Sequence, residues 1–165
     1  MPTRLGISGH QDLSDVSAWP WVRQALETIV AEQPTPVEAV SSLARGADQM
    51  LAEIVLNAGG SLYAVLPFPG YERTFSGEYL DRFRALAAQA QREVRQPAEN
   101  DEASFWSAGQ RVVDLSSLLI AVWDGKPARG LGGTADVVRY ARERHKLVVH
   151  LNPDRRTVQR LGAAP

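Results

Sequence analysis

The run Leu118-Leu119-Ile120-Ala121-Val122-Trp123 contains no polar residue. A strand with one wet face alternates apolar with polar side chains, so an unbroken apolar run points to a strand covered on both faces, near the middle of a parallel sheet. Five further short strands are expected at Arg4–Ser8, Val37–Leu43, Ser61–Pro67, Glu93–Arg95 and Leu147–Leu151. Segments of helical period separate them. Ala47, Leu51, Ile54, Val55 and Ala58 fall on one stripe at i, i+4, i+7, i+8 and i+11, which defines a helix over Ala47–Ala58.

Four more helices complete the pattern. Pro20 suits the first turn of a helix over Trp19–Glu32. Gly77–Gln91 carries Tyr79, Leu80, Phe83, Leu86 and Ala87 at helical spacing, and Asn100–Leu115 opens on Asp101 and Glu102, charges that suit the positive end of a helix dipole. The last runs over Thr134–Arg144, with basic residues in its final turn. Strands alternating with helices, joined by right-handed crossovers, give a single-domain, Rossmann-like, doubly wound α/β fold. It has a mainly parallel sheet of about six strands with helices on both faces. The domain is expected over residues 1–152, and residues 153–165, with Arg155, Arg156 and Arg160, read as a solvated C-terminal tail.

Composition narrows the chemistry. Of 165 residues, 18 are basic and 19 acidic, so no net field exists to draw nucleic-acid backbones or anionic lipid without regard to sequence. Nucleic-acid and membrane partners are therefore disfavoured. The absence of cysteine excludes thiol catalysis and thiolate zinc sites. His10, His145 and His150 lack metal-binding spacing, no Gly-x-Ser-x-Gly elbow occurs, and the pair Gly125-Lys126 is followed by Pro127 rather than the hydroxyl a Walker loop requires. Neither a metal nor a resident cofactor is expected. With no window of about 20 apolar residues and no export leader, a cytoplasmic location is expected.

In doubly wound sheets ligands bind beyond the carboxyl ends of the strands, where helix N-termini present free amides. The first strand ends in Gly9-His10, where Gly9 can adopt positive φ and His10 can meet a phosphate or base. The second feeds the helix entrance Arg45-Gly46-Ala47-Asp48, a cation and a flexible backbone suited to an anionic oxygen, with Asp48 able to pair with the helix dipole or a sugar hydroxyl. After the third, Phe68, Tyr71 and Arg73 can form a wall for a purine ring, although Phe68 fits a core equally well. The fifth ends at Asp124 and leads through Gly130, Gly132 and Gly133 to Thr134 and Asp136, a glycine-lined helix entrance with the features of a phosphate cradle.

The pairing of Ser-Ser-Leu-Ala-Arg-Gly-Ala-Asp at 41–48 with Gly-Leu-Gly-Gly-Thr-Ala-Asp at 130–136 resembles the SLOG superfamily of Rossmann-like proteins. That group includes the DNA-processing protein DprA, molybdenum-cofactor carriers and the Lonely Guy phosphoribohydrolases. The resemblance covers roughly Arg4 to Asn152 and implies a nucleotide or nucleotide-derived phosphorylated ligand, with homo-oligomers as the common assembly. The phosphoribohydrolases carry a proline-Gly-Gly-x-Gly-Thr-x-x-Glu signature whose glutamate acts at the ribose. Aligning its threonine with Thr134 puts Val137 at the glutamate position, and Asp136 points about 100° away around the helix.

Three functions are compatible with these features. One is a sensor or carrier binding a phosphorylated nucleotide-like ligand at the rim of the sheet. A second is hydrolysis of nucleoside 5′-monophosphates at the N-glycosidic bond, with Asp136, Asp48 or Glu102 stabilising an oxocarbenium-like ribose. The third is a DprA-like accessory of single-stranded DNA using the arginines of the tail.

Overall fold

The computed structural model describes residues 1–127 and 131–162. Among these, seven strands and five α-helices follow one another as β1 (Thr3–Gly9), α1 (Trp19–Ala31), β2 (Val37–Ser41), α2 (Ala47–Asn57), β3 (Ser61–Leu66), α3 (Gly77–Ala88), β4 (Gln91–Val94), α4 (Asp101–Leu115), β5 (Leu118–Val122), α5 (Thr134–Glu143), β6 (Leu147–Asn152) and β7 (Thr157–Leu161). Two single 3-10 turns, Val16–Ala18 and Tyr71–Thr74, lie in the connections after β1 and β3.

The strands form one sheet in the order β4-β3-β2-β1-β5-β6-β7, parallel throughout except for β7. The apolar run at 118–122 is the strand between β1 and β6, and all five of its residues are buried. Its alternate side chains serve different layers. Leu118, Ile120 and Val122 join Leu5, Ile7, Ala39 and Leu62 in a core beneath α1, α2 and α3, while Leu119 and Ala121 pack with Val137, Val138 and Val148 beneath α4 and α5. A third cluster, Val40 and Val65 against Ala108 and Val112, extends the second layer along α4. Both faces of the sheet are therefore dry around β5, as its unbroken apolar pattern requires.

The terminal segment departs from the expected solvated tail. Asn152 closes a turn, its side-chain oxygen accepting from the amides of Asp154 at 3.0 Å and Arg155 at 3.1 Å. The chain then reverses, and β7 pairs antiparallel with β6 from Asn152↔Thr157 to Val148↔Leu161. The sheet thus has seven strands rather than six, because an Asx turn and ladder hydrogen bonds hold a segment whose own side chains are mostly exposed.

The chain winds outward in two directions from the centre. From β1 it passes through α1 to β2 on one face, and from β5 through α5 to β6 on the other. β1 and β5 lie side by side with Gly9 opposite Val122. Their carboxyl ends open together at the topological switch point, where connections diverge and leave a crevice.

Candidate functional site

Two helix entrances border this crevice. The entrance to α5 is built on Gly133 and Thr134. Its first amides have no partner within the helix, as at any α-helix start, and the dipole adds partial positive charge there. Gly133, Thr134 and Ala135 line a cavity of about 720 Å³ together with Ser8, Gly9 and His10 from the end of β1. The Ser8 hydroxyl lies 3.5 Å from that of Thr134, so two hydroxyls join the amides at one point. This set can hold a tetrahedral anion through neutral donors.

The preceding glycine segment is fixed by carboxylates. The Leu131 amide donates to Glu102 at the start of α4, and the Gly132 amide donates to Asp136 at 3.1 Å. Asp136 also accepts from Arg139 at 2.9 Å. Through these contacts Asp136 and Glu102 brace the loop by its backbone amides, and Glu102 also lines the larger cavity. Gly133 is extended at φ −66° and ψ 170°, a conformation open to any residue. Gly130 lies outside the described residues.

The entrance to α2 opens on an adjoining cavity of about 430 Å³. Ser8, Gly9, Gln11, Phe105 and Gly132 line both cavities, so the two entrances share one rim. Gly46 sits at φ +89°, and a Cβ there would approach the Gln11 carbonyl oxygen to 2.7 Å, which makes the tight passage to α2 a glycine position. Gly9 differs from expectation: it is outside the positive-φ set, and the constraint on it is steric, since a Cβ would come within 3.0 Å of Ala47 and Val122. Its missing side chain lets α2 pack onto the ends of β1 and β5.

Arg45 faces the second cavity but is not a bare cation. Its guanidinium pairs with Asp12, donates to Gln11 at 3.2 Å, and lies 5.6 Å from the centre of the Tyr79 ring. Asp48, in the first turn of α2, is 7% exposed and lines the same cavity. Burial pushes its acid up to about 7, opposed only by a backbone hydrogen bond at Ala44.

On the rim of the larger cavity, Asp124 accepts from the Lys126 amide at 2.9 Å, and its own amide donates to His10 Nε2 at 3.3 Å. Burial works against the Asp124 charge, but the Lys126 amide, His10 and the Lys126 charge outweigh it and hold the carboxyl below its ordinary value. Asp124 is thus an ionised group facing the crevice.

The aromatic loop is arranged differently from the expected wall. Tyr71 is buried at the centre of a ring cluster, 5.8 Å from Phe68, 5.1 Å from Phe75 and 5.6 Å from Phe83. It also lines the smaller cavity, and burial raises its phenol well above the ordinary value, with the Asp48 charge adding to the shift. Phe68 packs beneath the loop and does not line either cavity. Arg73 is exposed and curls back over Gly70, away from both. The rings that line the space beside Tyr71 are Phe75, Tyr79 and Phe105, which the sequence did not single out as site residues. Ser8, Gln11 and Lys126 are further additions. Ser8 and Gln11 flank the Gly9-His10 pair and carry polar side chains, a signal available in the sequence.

Among the described residues, no group of three or more His, Asp or Glu side chains is placed to hold a metal ion. None of the described helices is long and apolar enough to cross a membrane.

The architecture defines a Rossmann-like, doubly wound domain. Solved structures share it. The DNA processing protein A of Streptococcus pneumoniae superposes with a TM-score of 0.66 at 17% identity, over 90% of this chain and 50% of that one. The Helicobacter pylori protein of the same name, solved for its single-stranded DNA binding mode, gives a TM-score of 0.62 at 16% identity, over 90% of this chain and 65% of that one. The molybdenum cofactor binding protein of Rippkaea orientalis gives 0.57 at 16% identity, over 91% and 76%. The chain therefore spans half the length of the first protein and just under two thirds of the second. These are the kinds of protein that segments 41–48 and 130–136 resemble, and the likeness at these identities is one of fold. No protein-family model and no curated protein matches the chain.

Proposed function

We infer that the protein binds a small phosphorylated, nucleotide-like ligand along the carboxyl rim of its sheet. The observation that carries this reading is the convergence of the α5 and α2 entrances on adjoining cavities with five lining residues in common. The amides of Gly133–Ala135 and the hydroxyls of Ser8 and Thr134 receive the phosphate, and Asp124 and His10 meet the ribose hydroxyls. The second cavity, between α2 and α4, takes the remainder of the ligand.

Thermal unfolding with nucleoside monophosphates, ADP-ribose, NAD and inorganic phosphate tests the reading. A bound ligand at 100 times its dissociation constant adds about 2.7 kcal/mol to stability, enough to move a melting midpoint by several degrees. Thr134→Val should reduce that shift. No stabilisation by any of these compounds would refute the reading. Chromatography of the same mixtures for released base separates turnover from binding.

A second reading follows from the fold shared with two DNA processing proteins. Under it the rim accepts single-stranded DNA, and retention of an oligonucleotide should fall steeply with salt. The chain's net charge of −1 supplies little general attraction, which favours the small ligand.

A further inference from the structure

The cavity at the mouth of α2 has a chemistry of its own. Rings of Tyr71, Phe75, Tyr79 and Phe105 line it, and Asp48 sits among them. None of the ion pairs among the described residues involves Asp48, and the neighbouring cation, Arg45, is already engaged by Asp12 and Gln11. The Asp48 carboxylate accepts one backbone hydrogen bond, at Ala44, and is costly to enclose without a cation, so its remaining acceptor positions are available to a guest that brings hydrogen donors. The cavity's volume of about 430 Å³ lies within the range of small-molecule sites.

Resting on the nucleotide reading above, we propose that this cavity is a base subsite selective for guanine, with Asp48 accepting the adjacent N1–H and C2–NH₂ donors of the ring. Among the common bases guanine alone offers two neighbouring donors on one edge. Adenine and cytosine place an acceptor beside their amino group, and uracil has a single N–H between two carbonyls. A ribose diol also presents paired hydroxyls, but the aromatic lining suits a flat ring better than a sugar. The contiguity of this space with the α5 entrance through Ser8, Gly9 and Gly132 allows one guest to reach both.

Calorimetric titration of the full chain at pH 8 with GMP, 2′-deoxy-GMP, IMP, AMP and ribose 5-phosphate tests this. GMP should bind roughly tenfold more tightly than IMP, which lacks the amino group, and by a larger factor than AMP, since each lost charge-assisted hydrogen bond costs about that much. Asp48→Asn should leave the ratio of GMP to 2′-deoxy-GMP unchanged, because the ribose passes Asp124 and His10; a ratio that Asp48→Asn abolishes would assign Asp48 to the ribose and overturn the proposal. Asp48→Asn should erase the GMP-to-IMP ratio, whereas Thr134→Val should weaken both and keep the ratio. Equal binding of GMP, IMP and AMP, or a ratio unmoved by Asp48→Asn, would overturn the base assignment and leave the nucleotide reading standing. Failure of every compound, ribose 5-phosphate included, would remove that reading and this proposal with it.

Discussion

Asp48 provides a quantitative test of how the crevice is built. Its acid is raised from 3.8 to about 7, chiefly by burial, and it is only 7% exposed. In the unfolded chain the group ionises near its ordinary value, so between pH 4 and pH 7 the folded state holds a proton that the unfolded state has lost. Stability on this account falls as pH rises through that window. Below about pH 4 the carboxyl is neutral in both states, and above about pH 7 it is charged in both and the folded protein bears the whole cost. Three pKa units at about 1.36 kcal/mol each put that cost at about 4 kcal/mol. Asp48→Asn keeps the shape and removes the titration. Urea denaturation of both proteins at pH 5 and pH 8 isolates the effect, because pH-independent consequences of the amide cancel between the two conditions. The advantage of Asn over Asp should grow by about 2–3 kcal/mol from pH 5 to pH 8. An advantage that stays constant, or shrinks, would show that the carboxyl is solvated or paired in the folded protein and would refute the account of the cavity given above.

Two further perturbations address the frame of the site. Ile120→Ala empties a fully buried position at the centre of the sheet and should cost about 2–5 kcal/mol by urea unfolding; a loss below 1 kcal/mol would contradict its central placement. Gly46→Val forces a branched residue to φ +89° and a Cβ to 2.7 Å from the Gln11 carbonyl, so a loss of about 1–3 kcal/mol is expected, and unchanged stability would mean that the passage into α2 relaxes freely.

The pattern of strands and helices was legible because β5 is one unbroken apolar run, the other central strands are short and rich in apolar residues, and the helices repeat their buried stripe with helical period. Leu118–Val122 needed no knowledge of its neighbours. β7 escaped because Thr157–Leu161 is polar and largely exposed, and its ladder depends on a partner strand rather than on burial; the only local signal was the turn-forming Asn152-Pro153-Asp154. The glycine-lined entrances were legible as well, since small residues directly after a strand mark a helix mouth. Roles within the site were not, because they rest on contacts between distant residues. Glu102 reaches Leu131, Arg45 reaches Asp12, and Tyr71 is drawn inward by a 3-10 turn that places it among other rings. An aromatic after a proline-rich turn reads as a wall in one dimension and becomes a core residue in three.

The bracing of Leu131 and Gly132 by Glu102 and Asp136 bears on how quickly and how tightly a guest could settle. Their amides are held by the protein's own carboxylates, and Gly133, Thr134 and Ala135, which follow directly, line the crevice. On the proposed reading, a phosphate held at these three residues would forfeit little affinity to the ordering of the stretch before them. The two acids act as permanent tenants of the neighbouring amides, keeping the guest's place open without occupying it.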